Sequence, residues 1–179
     1  MNEKELKRQM LEGKNKILLF RRLEDAHEED AARLVFQREH TFEYERDLDR
    51  IVTKDGVVVK VGELEANVDI DAIQSKKDPT YEMLQEAMIK GEKLELWEVN
   101  IDEDLKEDDK YPAVYCQGYL ENWSPASSAE DEAEINSNFV VELEPQFGMA
   151  TLTDEVESAV QYAFRDVTKL EEDEGNDGP

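Results

Sequence analysis

The stretch Glu63-Leu64-Glu65-Ala66-Asn67-Val68-Asp69-Ile70-Asp71-Ala72 decides the fold. Taken by twos, Leu64, Ala66, Val68, Ile70 and Ala72 are apolar, while Glu63, Glu65, Asn67, Asp69 and Asp71 are polar. A period of two predicts a β-strand with one buried and one wet face. Four of the five wet positions are carboxylates and none is basic. Acids on one face repel, and like charges placed opposite each other across a sheet destabilise it. A strand that tolerates this points to a purpose for the negative surface.

Outward from this strand, the neighbouring segments also favour β structure. Asp55-Gly56 lies between the β-branched runs Ile51-Val52-Thr53-Lys54 and Val57-Val58-Val59-Lys60-Val61, which predicts a hairpin. Strands are expected at 16–21, 33–37, 41–46, 94–99, 113–123 and 135–143, with a short edge strand at 146–152. Asp47 to Arg50 reads as a polar connection and Ser124-Pro125 as a turn. On the 135–143 strand, Ile135, Ser137, Phe139, Val141 and Leu143 form the inward face. Asn136, Asn138, Val140, Glu142 and Glu144 form its other face, and Pro145 stops the strand.

Two helices flank these strands. Asp78 suits an N-cap, Pro79 the first turn and Gly91 a C-terminal stop, which bounds a helix at about 78–91. Val156, Ala159, Val160, Ala163 and Phe164 make an apolar stripe for a C-terminal helix at about 154–165, capped by Thr153. The fold class is therefore mainly β, a sandwich or barrel-like domain of about eight strands with a flanking helix and a C-terminal helix. Residues 1–12 read as a charged N-terminal arm, 13–170 as the domain and 171–179 as a disordered acidic tail.

The composition narrows the function. Of 179 residues, 39% are hydrophobic and 37% charged, and the formal net charge is −25. Residues 1–60 carry 13 bases and 14 acids, a net of −1, whereas residues 61–179 carry 8 bases and 32 acids, a net of −24. Such a chain does not hold phosphate backbones by counterion release or cling to anionic membranes. It can repel nucleic acid, bind a basic partner, mimic DNA, or simply be very soluble. The single Cys116 leaves no intramolecular disulfide and no cysteine-rich metal site. No run approaches the ~18 apolar residues of a membrane span, and the N-terminus lacks a signal core. The expectation is a soluble protein made in a cytoplasm, with no membrane anchor.

The motifs of catalysis are missing. There is no phosphate-binding or dinucleotide glycine loop. His27-Glu28-Glu29-Asp30-Ala31 begins like a zinc-protease helix, but the second histidine is Ala31. Asn100, Asp102 and Asp104 alternate like a calcium loop, yet Leu105 stands where its glycine belongs and Tyr111 where its glutamate belongs. No carboxylate pair is singled out for glycoside chemistry. No catalytic residue, metal site or cofactor is expected.

An ordered set of segments carries a resemblance. Leu34-Val35-Phe36-Gln37-Arg38-Glu39-His40-Thr41, Thr53-Lys54-Asp55-Gly56 and Glu95-Leu96-Trp97-Glu98-Val99 come first. Tyr115-Cys116-Gln117-Gly118-Tyr119, Ala150-Thr151-Leu152-Thr153 and Val160-Gln161-Tyr162-Ala163-Phe164-Arg165-Asp166 follow. Over roughly residues 13–168 the chain resembles the major tail proteins of long, flexible-tailed bacteriophages of Gram-positive bacteria, the lactococcal siphophage type. The resemblance implies hexameric rings stacked into the tube through which the genome leaves the capsid. It implies a virion protein assembled in the host bacterial cytoplasm. The implied partners are further copies of itself and the tape-measure, tail terminator and distal tail proteins. The charged arm and the acidic tail depart from the usual pattern, and no C-terminal immunoglobulin-like domain follows.

Charge and resemblance meet at the opening strand. A tube that conducts double-stranded DNA must let it pass without specific binding. Glu63, Glu65, Asp69 and Asp71, together with Glu142 and Glu144, are the residues expected to face the lumen. The segment Val52, Thr53, Lys54, Asp55, Gly56, Val57, Val58 and Val59 is expected to contact a neighbouring subunit or ring, because an exposed β-branched edge can pair across subunits. A rival from another class is an acidic DNA mimic that inhibits a DNA-binding enzyme.

Overall fold

A computed structural model describes residues 10–160. The chain forms β1 (Lys16–Arg22), β2 (Ala32–Arg33), β3 (Gln37–Thr53), β4 (Gly56–Ile73), α1 (Pro79–Lys90), β5 (Leu94–Asn100), β6 (Tyr111–Ala126), β7 (Glu134–Val141), β8 (Gln146–Ala150) and α2 (Asp154–Val160). The strands make one antiparallel sheet in the order β2-β1-β5-β6-β7-β4-β3, with β8 also paired to β6. The mainly β fold with a flanking helix is as the sequence predicts.

Alternation sorts the sheet into two faces. On the inner face, Leu18, Phe20, Val68, Ile70, Ala72, Leu94, Leu96, Cys116, Leu120, Ile135 and Phe139 bury together against Leu84 and Ala87 of α1. A second cluster packs on the outer face at one end, where Ile17, Leu19 and Val99 meet Leu152 and Val156. The sheet also curls until its ends meet. His40 Nε2 of β3 lies 2.6 Å from Glu98 Oε2 of β5. The Gln37 side chain accepts from Leu18 N at 2.8 Å and donates to Leu18 O at 2.8 Å, standing in for a strand neighbour of β1.

The α1 boundaries follow from local chemistry. Asp78 Oδ1 accepts from Thr80 N at 2.9 Å, Pro79 opens the first turn, and Gly91 ends the helix at φ +68°. The same Asp78 accepts from Val35 N through Oδ2 at 3.1 Å, so the cap also ties the helix to the turn before β3.

Several boundaries differ from expectation. Residues 33–37 are not one strand: β2 stops at Arg33, and Phe36 adopts φ 55° in the turn that follows. Asp47 to Arg50 is no connection, because β3 runs unbroken to Thr53. A register shift between Arg46 and Leu48 absorbs the polar stretch, with Gly62 beside Asp47. The hairpin at 51–61 is thus only the tip of a ribbon reaching from Gln37 to Ile73. Ser124 and Pro125 stay in β6, opposite Asn136 and Ile135. Strand β7 ends at Val141, so Leu143 is not inward but 68% exposed.

Gly118 marks where β6 leaves β8 for β7; a Cβ there would meet Val140 O at 1.9 Å. Helix α2 begins at Asp154 as predicted, with Thr153 Oγ1 accepting from Val156 N at 3.4 Å. Ala163 and Phe164, the acidic tail 171–179 and residues 1–9 of the arm lie outside the described residues.

Candidate functional site

The carboxylates of β4 share the outer face, and register adds more from β3. Asp71 lies opposite Glu39, Asp69 opposite Thr41, Asn67 opposite Glu43, and Glu65 opposite Glu45. Glu63 is exposed beside the Arg46/Leu48 register shift. On the other side, β7 sets Asn138 opposite Asp69 and Asn136 opposite Asp71. The acidic band is therefore two strands wide and grades into amides. Glu39, Glu43 and Glu45 were the missed members. Glu43 and Glu45 alternate with Phe42 and Tyr44, which was their only local signal; Glu39 gave none.

The band is partly compensated. Asn138 Nδ2 donates to Asp69 Oδ1 at 2.6 Å. Arg38 bridges two acids, with 2.6 Å from Nη2 to Asp71 Oδ1 and 2.6 Å from Nη1 to Glu134 Oε1. Glu134 and Asp71 hold the Arg38 guanidinium firmly in its charged form. Nothing offsets the facing pair Glu45 and Glu65 among the described residues.

Glu142 and Glu144 stand apart from this band. Both follow the end of β7, in the break before β8. Glu142 N donates to Gln117 O at 2.8 Å, and the Glu142 carboxylate pairs with Lys93. Glu144 is exposed and lines a cavity of ≈ 340 Å³ with Tyr115, Cys116, Gln117, Leu143 and Gln146. Their grouping with the β4 acids needs correction, because the strand that would have aligned them stops at Val141.

The segment from Val52 to Val59 caps the β3–β4 ribbon. Thr53 Oγ1 donates to Gly56 O at 2.7 Å, and Gly56 holds φ +130°, so Asp55-Gly56 turns as predicted. Val52 is 81% exposed, and Val57, Val58 and Val59 are about half exposed. Strand β4 pairs with β7 only over Asn67 to Ile73, so from Gly56 to Ala66 its edge away from β3 has no strand partner among the described residues.

At the root of the ribbon a polar cluster is half-buried. Glu98 takes Lys16 Nζ at 3.3 Å as well as His40. Burial disfavours the Glu98 carboxylate, but the His40 hydrogen bond and the Lys16 charge outweigh it and hold its pKa below the usual value. Burial pushes the Cys116 thiol up to about 12, so it is a protonated core group. Among the described residues, no group of three His, Cys, Asp or Glu side chains is placed to hold a metal ion. No helix among them is long and apolar enough to cross a membrane.

Known proteins share this architecture. A protein of Staphylococcus phage phiMR25 named as a tail protein is 28% identical over 173 residues, covering 94% of this chain and 89% of its own. The tail tube of SPP1 superposes with a TM-score of 0.73 at 19% identity, covering 92% of this chain and 96% of that one. The tail of an empty gene transfer agent particle, of C6 symmetry, gives a TM-score of 0.60 at 14% identity, covering 78% of this chain and 99% of that one. The model of the family described as phage tail tube protein matches residues 10–147, more than three-quarters of the sequence. With that match spanning every strand but β8, the chain belongs to the phage tail tube protein family.

Proposed function

We propose that this chain is the major subunit of a siphophage tail tube, joined head to tail in six-membered rings that stack into the conduit for genome ejection. As a tail tube protein it is a structural component of the virion, and no chemistry is asked of it. Sixfold symmetry is carried over from the gene transfer agent tail, which shares its fold. The tape-measure, terminator and distal tail proteins are the further partners proposed.

The observation that carries the mechanism is the acidic outer face of β3 and β4. Duplex DNA bears one charge per about 1.7 Å of axis. In a bore slightly wider than the duplex, wall charges lie within about one Debye length, ~8 Å. Glu63, Glu65, Asp69 and Asp71 of each subunit, with Glu39, Glu43 and Glu45 beside them, then repel phosphates from all sides. The genome finds no site at which to stop. Identical subunits closing a ring need two different, complementary patches. The exposed tip from Val52 to Val59 is one of them in this proposal.

Changing Glu63, Glu65, Asp69 and Asp71 together to lysine, then measuring genome ejection, tests the placement. Stalled or salt-sensitive ejection is expected from tubes of normal shape; normal ejection removes these residues from the lumen. Negative-stain microscopy of concentrated purified protein tests assembly itself. Rings or tubes are expected, whereas a monomer that inhibits a DNA-binding enzyme would support the DNA-mimic alternative.

A further inference from the structure

The apolar face of the ribbon does not end where the core ends. Past the register shift, Leu48 lies opposite Val61, Arg50 opposite Val59, and Val52 opposite Val57. Alternation puts these six on one face, five of them aliphatic. All five aliphatics are about half exposed or more. The charge of the tip is also unlike the rest. Residues 46–62 carry Arg46, Arg50, Lys54 and Lys60 against Asp47, Asp49 and Asp55, a net of +1 in a chain of −25. None of the four bases makes an ion pair among the described residues. The cover for this face must be apolar and acidic.

Among the described residues, two concave surfaces are lined by exposed large hydrophobic side chains, Phe36 and Phe147 in one and Leu143 in the other. The cleft of ≈ 940 Å³ between β1 and β3 is lined by Lys14, Lys16, Arg33 and Arg38 against Glu39 and Glu98, a positive balance that does not suit the tip. The 142–149 segment suits it better. There Leu143 is 68% exposed at the ≈ 340 Å³ cavity, while Phe147, 76% exposed, lines the edge of the larger cleft. Glu144, which lines the smaller cavity with Leu143, makes no ion pair among the described residues. The two surfaces are different patches of one chain, which is what a head-to-tail contact requires.

We infer that the apolar face of the β3–β4 tip docks on the 142–149 segment of a second copy, with an aliphatic tip residue at the cavity and the tip bases near Glu144. This rests on the tube reading above and names the surface that receives the tip. Tubes are to be assembled from equal parts of unlabelled and ¹⁵N-labelled wild-type protein and treated with a zero-length carbodiimide. Intermolecular amides from Lys54, in the turn at the tip, to Glu142 or Glu144 are expected. Lysine crosslinks only to other carboxylates overturn the inference.

Mixing Val59→Cys with Leu143→Cys subunits gives a second measurement, since both sites are exposed and the Cys116 thiol stays protonated and buried. Oxidised mixed tubes should yield at least tenfold more disulfide-linked dimer than tubes made from either variant alone. Normal tubes with no mixed dimer refute the docking but leave tube formation standing. Absence of any tubes from wild-type protein refutes both.

Discussion

The two ends of the β3–β4 ribbon both carry an apolar face but have different surroundings. At the root, Val68 and Ile70 are buried against Phe139 and α1, and β7 pairs along the edge. At the tip, Val57, Val59 and Val61 pair with β3, but among the described residues no element covers their side chains. Period-two patterning thus states which face wants covering; it does not state who covers it. The root is stabilised by its own chain, and the tip keeps its hydrophobic driving force for assembly.

Disrupting the root should unfold the subunit. Phe139→Ala empties a fully buried site opposite Val68 and should cost about 4 kcal/mol, read as a lowered denaturant midpoint. Gly118→Ala places a methyl group against the Val140 carbonyl and should cost about 3 kcal/mol by the same measurement. Asp78→Ala removes the α1 cap and leaves Val35 N without its acceptor, for a loss of about 2 kcal/mol.

A pH series sharpens the comparison further. The Glu98 pKa is depressed in the fold, so its contribution is complete above the unfolded carboxyl value of about 4.3. It fades as pH falls through the lower folded value. The gap in Tm between wild type and Glu98→Gln should therefore close on acidification below about 4.3. The smallest effect on the subunit belongs to the tip. Val58→Ser should change its stability by no more than about 0.5 kcal/mol, while lowering tube yield in sedimentation.

Local chemistry made α1 legible almost to the residue, because Asp78, Pro79 and Gly91 act on their own neighbours. The β4 faces were legible for the same reason. What escaped depends on register. Asp47 to Arg50 looks like a loop until β4 is laid beside it, and its polar side chains are tolerated because that part of the ribbon has no core above it. The acidic band was read as one strand wide, since only pairing brings Glu39 and Glu45 opposite Asp71 and Glu65. Arg38, the one base that pairs with the band among the described residues, reaches Glu134 across 96 positions of sequence.

Neighbouring strands in the curled sheet are joined by ladders of backbone bonds, but among the described residues the start of β3 meets β1 through the Gln37 amide and β5 through the His40–Glu98 contact. A seam held by side chains rather than a ladder is the natural place for the wall to part under heat or strain. The strands on either side would keep their ladders while it gaped. Protection of the Leu18 amide hydrogen therefore reports on closure of the wall separately from survival of the sheet.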